Sequence, residues 1–253
     1  MLLILGAATP ARAQEAGAES VYRLRLAPDL VTIGLSAAAW FGPELFLDQL
    51  VTPKCPCNRL DVPAIDRPAL GRSSRAARTA SNVAVSVVLV VPAALDLLDV
   101  RLRGGAWSTV GEDLVVMGEA LLVDGALNEL VKIAVQRPRP FTYDGQELGR
   151  SDSYLSFYSA HSSTAFAMGM AYATTFSRRH PQSGYRYLVY GAVIAGGGTT
   201  GVLRVLAGKH FPSDVLIGAL VGSAVGIAVP LLHRRQELSL AVAPGGVALV
   251  GVF

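Results

Sequence analysis

Six apolar stretches, each close to the length of a membrane-crossing helix, constrain this chain more than any other feature. They fall near residues 30–50, 83–100, 113–135, 160–177, 187–206 and 214–232. At about 1.5 Å per helical residue, roughly 20 residues match the ~30 Å hydrocarbon layer of a bilayer. Lipid offers no partner to exposed backbone N–H and C=O groups, so only helices and closed barrels cross it. Stretches of this length select the helix, and the expected fold class is all-α, a six-helix transmembrane bundle. The clearest stretch runs from Val215 to Leu232 without a charge and sets Gly218, Gly222 and Gly226 four residues apart. Three small residues then line one face, against which another helix can lie closely. Pro43, Glu44 and Asp48 interrupt the first stretch, which suits a partly interfacial position.

Composition narrows the partners. Of 253 residues 51% are hydrophobic and 16% charged, and the mean hydropathy of +0.42 excludes a disordered chain, which lacks apolar surface to offset its ordering entropy. Twenty-two Lys and Arg against 19 Asp and Glu leave a net charge of +3, with the arginines mostly at the edges of the apolar stretches. That is the flanking of membrane helices rather than a nucleic-acid footprint, so no nucleic-acid partner is expected. Cys55 and Cys57 are too few for a disulfide framework or a four-ligand zinc site. A bridge across Cys-Pro-Cys would be strained, and the two thiols receive no role.

Four segments follow along the chain. Residues 1–13 pair an apolar run with an Ala-x-Ala pattern, as a secretory signal or an uncleaved cap would. Residues 14–82 hold the first apolar stretch and a polar loop whose part from Arg67 to Arg75 fits either an interfacial helix or a solvated loop. Residues 83–235 form the membrane domain, closed by His233-Arg234-Arg235, where His233 reads as a membrane-edge residue without a role. Residues 236–253 alternate around Pro244-Gly245-Gly246 and read as a short β-hairpin.

Chemistry gathers at the ends of the stretches. Asp124, Asn128 and Lys132 follow at i, i+4 and i+8 and share one helix face, while Glu129 and Lys132 could equally form an i, i+3 ion pair. Lys132 is followed by six residues and then Arg139-Pro140. Tyr158-Ser159-Ala160-His161 opens the fourth stretch, where unpaired N–H groups and the positive end of the helix dipole favour an anion. Arg204 ends the fifth, then come five residues, His210, three residues and Asp214 at the start of the sixth. Because successive spans alternate direction, these clusters meet at one membrane face. Lys132, Arg139 and Arg204 suit three phosphate oxygens, with Arg137 and Lys209 nearby to tune the field. Pro212 fits the first helical position, which sets Asp214 one turn in, within reach of His210. No other group of His, Asp and Glu stands at ligand spacing, and the site calls for no metal and no cofactor.

In these motifs the chain resembles the type 2 phosphatidic acid phosphatase superfamily, in its membrane-bound lipid phosphatase branch. That family's signature is Lys-x6-Arg-Pro, then Pro-Ser-Gly-His, then Ser-Arg-x5-His-x3-Asp. The first motif is intact here; the second departs at Tyr158 and Ala160, and the third at Leu203. No departure removes a charged or nucleophilic group. The resemblance covers about residues 83–232 and implies a covalent two-step hydrolysis with three catalytic residues. His210 attacks phosphorus, Asp214 orients it and His161 protonates the leaving oxygen. Lys132, Arg139, Arg204, Ser159 and the Ala160 backbone bind the phosphoryl group. The implied substrates are lipid phosphates, polyprenyl diphosphates and phosphatidate-like lipids first, met in a lipid bilayer. The alternatives are a vanadium haloperoxidase-like enzyme and a non-catalytic transporter or scaffold.

Sidedness rests on the flanking arginines. Arg101, Arg103, Arg178, Arg179, Arg186, Arg234 and Arg235 fall on the face opposite the site, against Lys54, Arg59, Arg67, Arg72, Arg75 and Arg78 on the site's own face. The first set favours a bacterial-type inner membrane with the site facing the periplasm or exterior.

Overall fold

The computed structural model describes residues 20–55, 57–235, 238–243 and 246–251; the expected signal segment lies outside these. Six long helices carry the chain: α1 Leu26–Phe41, α2 Arg75–Leu102, α3 Trp107–Val135, α4 Ala160–Arg179, α5 Tyr185–Leu206 and α6 Pro212–Leu232. Their ends follow local chemistry. The Ser74 and Ser159 hydroxyls accept the N–H groups of Ala77 and Ser162 at the starts of α2 and α4. Gln136 closes α3 in the left-handed region at φ 47°. Pro212 begins α6, where its fixed φ suits the first turn.

At the centre stands α4, buried at every residue from Ser162 to Thr175. Helices α2, α3, α5 and α6 pack around it, and α1 lies outside against α3. The glycine stripe of α6 performs as its spacing suggests. A Cβ at Gly218 would come 2.7 Å from the Ser159 carbonyl oxygen, and Cβ atoms at Gly222 and Gly226 would run into the carbonyls of Ser163 and Ala167. Likewise Gly125 of α3 leaves room for the Trp40 ring of α1.

This is a multi-pass membrane protein, yet the six expected spans are not alike. Four segments are long and apolar enough to cross a bilayer: Leu26–Leu50, Arg75–Leu102, Tyr185–Leu206 and Pro212–Leu232. Helices α3 and α4 fall short because their polar residues face the inside of the bundle. Asp113, Glu119, Asp124 and Glu129 of α3 are buried, as are Ser162, Ser163, Thr164, Thr174 and Thr175 of α4. Apolar side chains such as Leu35, Val90, Ile194 and Leu220 are exposed on the surrounding helices, as lipid contact requires.

One open alternative closes and one expectation changes. The stretch from Arg67 to Arg75 holds only a 3-10 turn at Arg67–Ala69 and is a loop, not an interfacial helix. Cys55 and Cys57 are joined in a disulfide, so the local bridge judged too strained does form. The Arg179 side chain is buried, paired with Asp96 at 2.9 Å and with Asp113, and it ties together the ends of α2, α3 and α4 remote from the site. The tail keeps its expected form, with β1 Leu238–Ala243 antiparallel to β2 Gly246–Gly251.

Candidate active site

All three motif segments come together at one end of the bundle. The Ser159 N–H donates to the Asp214 carbonyl at 3.0 Å, which fixes the starts of α4 and α6 to each other. His210, in the turn between α5 and α6, is buried, and its Nδ1 lies 2.8 Å from the Ser156 carbonyl oxygen. A carbonyl only accepts, so Nδ1 carries the hydrogen and Nε2 keeps its lone pair. Burial holds this imidazole well below its usual range, helped by the positive charges of Arg139, Arg204 and Lys132; the Ser156 bond acts the other way. The result is an unprotonated nitrogen beside three cations.

Asp214 does not reach His210 as its i+4 spacing suggests. Its Oδ2 stands 3.8 Å from Nδ1 and accepts instead from the Ser156 hydroxyl at 2.6 Å and the Phe211 N–H at 2.9 Å. Ser156 therefore stands between the two, accepting from His210 with its carbonyl and donating to Asp214 with its hydroxyl. The other Asp214 oxygen takes Arg137 at 2.6 Å. Arg137 also pairs with Asp66 at 2.7 Å and lies 4.1 Å over the Phe211 ring. Asp66 in turn accepts the Ser213 N–H at 2.9 Å, so a residue of the long loop caps α6.

The cations are held unequally. Arg139 gives Nη2 to the Asp152 carboxylate at 2.6 Å and Nε to the Asp152 carbonyl at 2.9 Å. Lys132 lies 3.8 Å from Glu129, so the i, i+3 pair forms at the helix end. Among the described residues Arg204 forms no ion pair; although it is buried, only the Ser81 hydroxyl approaches, at 3.4 Å. His161 sits at the start of α4 with Nε2 3.0 Å from the Asn82 Oδ1, and that acceptor places a hydrogen on Nε2. The Ser159 hydroxyl is the cap of α4, which leaves the first N–H groups, Ala160 among them, for an anion. Asn128, on the face shared with Asp124 and Lys132, donates to the Tyr158 carbonyl at 2.9 Å and shapes the loop before α4.

Ser156, Asp66, Asp152, Asn82 and Ser81 escaped the motif reading. Only Ser156 and Asp152 lie near a motif, and a serine or aspartate in a polar loop carries no signal of its own. His233 is also misread as an edge residue. It is buried, 3.3 Å from Asp29 and 3.2 Å from Glu119, in a His/Asp/Glu group that sequence spacing cannot reveal because its members are up to 204 positions apart.

Residues 113–237, which contain all three motif segments, match the family model of the PAP2 superfamily. A lipid A 1-phosphatase from Rhizobium etli is 30% identical over 132 residues, 50% of this chain and 53% of that protein. Another, from Rhizobium johnstonii, is 32% identical over 133 residues, 50% of each chain. This chain thus spans about half the length of the curated relatives it matches. A transmembrane PAP2-type phosphatidylglycerolphosphate phosphatase from Bacillus subtilis superposes with a TM-score of 0.47 at 20% identity, over 81% of this chain and 94% of that one. The matched region carries Lys132, Arg139, His161, Arg204, His210 and Asp214 to one end of the bundle, and it is this region, residues 113–237, that belongs to the PAP2 superfamily.

Proposed function

We propose that this protein is a membrane-embedded phosphatase that hydrolyses phosphorylated lipids through a phosphohistidine, using its own side chains and backbone N–H groups. The observation that carries the reading is the His210 Nε2 lone pair, held unprotonated beside Lys132, Arg139 and an Arg204 without an ion-pair partner. In the first step Nε2 bonds to phosphorus and the P–O bond to the lipid breaks. The leaving oxygen takes the electron pair and a proton from the His161 imidazolium, which becomes the neutral ring. In the second, His161 removes a proton from water, the hydroxide attacks phosphorus, and the P–N bond breaks to release phosphate and neutral His210. Charge on the pentavalent phosphoryl group falls to the three cations and the first N–H groups of α4. Ser156 fixes the His210 tautomer, and Asp214 and Arg137 hold Ser156 and the start of α6 as positioning residues.

A head group with more than one anionic centre fits best. Lys209, the neighbour of His210 in the chain, lines a cavity of about 200 Å³ together with Arg72, Arg75 and Arg78, with Glu147 as its carboxylate. Four cations around so small a space favour a diphosphate or a multiply phosphorylated glycolipid over a plain phosphatidate. The lipid A 1-phosphatase relatives support the same class. The disulfide supports an outward site: the loop that carries it is tied to the site end of the bundle, Gln136 donating to the Leu50 carbonyl at 2.7 Å, and such bonds persist in oxidising compartments. Rapid acid quenching during turnover of a ³²P-labelled lipid diphosphate tests the mechanism. A protein-bound phosphate that is acid-labile and hydroxide-stable, absent from His210→Ala, is expected. Turnover by His210→Ala would overturn it.

A further inference from the structure

We propose that the protein holds a structural divalent metal ion of the zinc type at the end of the bundle remote from the active site, bound by Asp29, Glu119 and His233. The three come from α1, α3 and the residue that ends α6, and all are at least nine-tenths buried. Their ligand atoms lie within 4.8 Å of one another.

Three observations separate this group from an ordinary ion pair. First, His233 Nδ1 lies 2.9 Å from the Val229 carbonyl, so the hydrogen sits on Nδ1 and the Nε2 lone pair faces the two carboxylates. Metal-bound histidines are oriented in this way by a backbone carbonyl on the other nitrogen. Second, the spacings are those of a coordination shell. Nε2 is 3.3 Å from Asp29 Oδ1 and 3.2 Å from Glu119 Oε2, whereas a charged N–H···O pair closes to about 2.7–2.9 Å. Ligands at about 2.0–2.1 Å from a tetrahedral zinc ion are about 3.3 Å apart. Third, Glu119 Oε2 is buried without a hydrogen-bond partner, while the second Asp29 oxygen is already engaged by the Arg25 N–H at 2.5 Å. His233 and Asp29 thus each have one polar atom anchored and one facing a common point, which Glu119 Oε2 also faces.

Charge favours the same reading. Two carboxylates with a neutral imidazole leave two negative charges, which a divalent cation cancels; a protonated histidine would cancel one. Such groups inside a membrane bundle are expensive unless neutralised. The ion's work would be to clip α1, which packs mainly on α3, to the end of α6.

The test uses the full chain in detergent, stripped with chelator and dialysed. Titration with zinc, followed by calorimetry and elemental analysis, should show one ion per chain and a rise in Tm. His233→Ala and Glu119→Gln should each weaken binding by at least tenfold and abolish the rise, while His161→Ala and His210→Ala keep both, which excludes binding at the active site. X-ray absorption on the zinc-loaded protein should show one nitrogen and two or more oxygens near 2.0–2.2 Å. Wild-type protein that binds no zinc at millimolar concentration, or binding that survives in His233→Ala, would overturn the proposal; the first outcome leaves the group as an imidazolium between two carboxylates. Because the wild-type titration decides by itself, poor folding of a variant does not protect the idea.

Discussion

Ser156 joins the nucleophile to the carboxylate with two atoms, and this sets how much each partner should matter. In sites where a carboxylate bonds the histidine directly, its loss costs on the order of 10⁴-fold in kcat. Here the Ser156 carbonyl makes that bond, so Asp214→Asn should lose clearly less than about 10⁴-fold while His210→Ala loses all turnover. A direct comparison of single-turnover rates checks this, and equal losses would restore Asp214 as the direct partner. Two pH effects follow from charge. Because burial and three cations keep His210 neutral far below its usual range, the acid-side loss of kcat/KM should lie well under pH 6.5. Lys209 is pulled down to about 8 by burial and by Arg78, so its charge is present below pH 8 and fades above it. KM for a lipid with two phosphates should therefore rise above pH 8. Lys209→Arg, which stays protonated, should remove that rise; an unchanged pH dependence of KM would take Lys209 out of head-group binding.

At the scale of elements, close helix approach and buried ion pairs do most of the positioning. Gly222→Val puts a side chain into the Ser163 carbonyl on the central helix, two residues after His161. Overpacking of this kind costs about 1–3 kcal/mol; a Tm drop well beyond that of Gly191→Val, a site with open space, is the expected result. Arg137→Ala strands two buried carboxylates, Asp66 and Asp214, and should destabilise by about 3–5 kcal/mol, read from denaturant unfolding. The helices were legible in the sequence because apolar length and glycine spacing are local properties. So were Lys132, Arg139, His161, Arg204, His210 and Asp214, whose motif spacing reflects positions relative to helix ends. Ser156, Asp66 and Asn82 were not, since their roles depend on which loop or helix crosses the site. Burial of the α3 carboxylates is likewise decided by neighbours, which is why α3 and α4, expected as spans from their length, stand as the polar interior of the bundle.

For the whole molecule, depth is the property that would select a substrate under the proposed function. Lys132 and Arg204 lie in the last turns of α3 and α5, and His161 and Asp214 in the first turns of α4 and α6, so the site lies at the end of the apolar helices rather than within them. A lipid can keep its chain in hydrocarbon while its phosphate reaches His210, and each CH₂ left buried retains roughly 0.8 kcal/mol. A small soluble ester has no such anchorage and must arrive from bulk water, while the basic cavity lined by Lys209 adds attraction for a second phosphate. The expected order of kcat/KM in one detergent is therefore a lipid diphosphate or phosphorylated glycolipid first, a phosphatidate next and p-nitrophenyl phosphate last. Replacing Arg78 with Ala should narrow the gap between the first two and leave the third unchanged, because only the multiply anionic head group extends to the cavity. If the soluble ester were turned over as efficiently as the lipids, the membrane setting would not select the substrate. If Arg78→Ala slowed all three alike, the cavity would serve the transferred phosphate and not the head group beyond it.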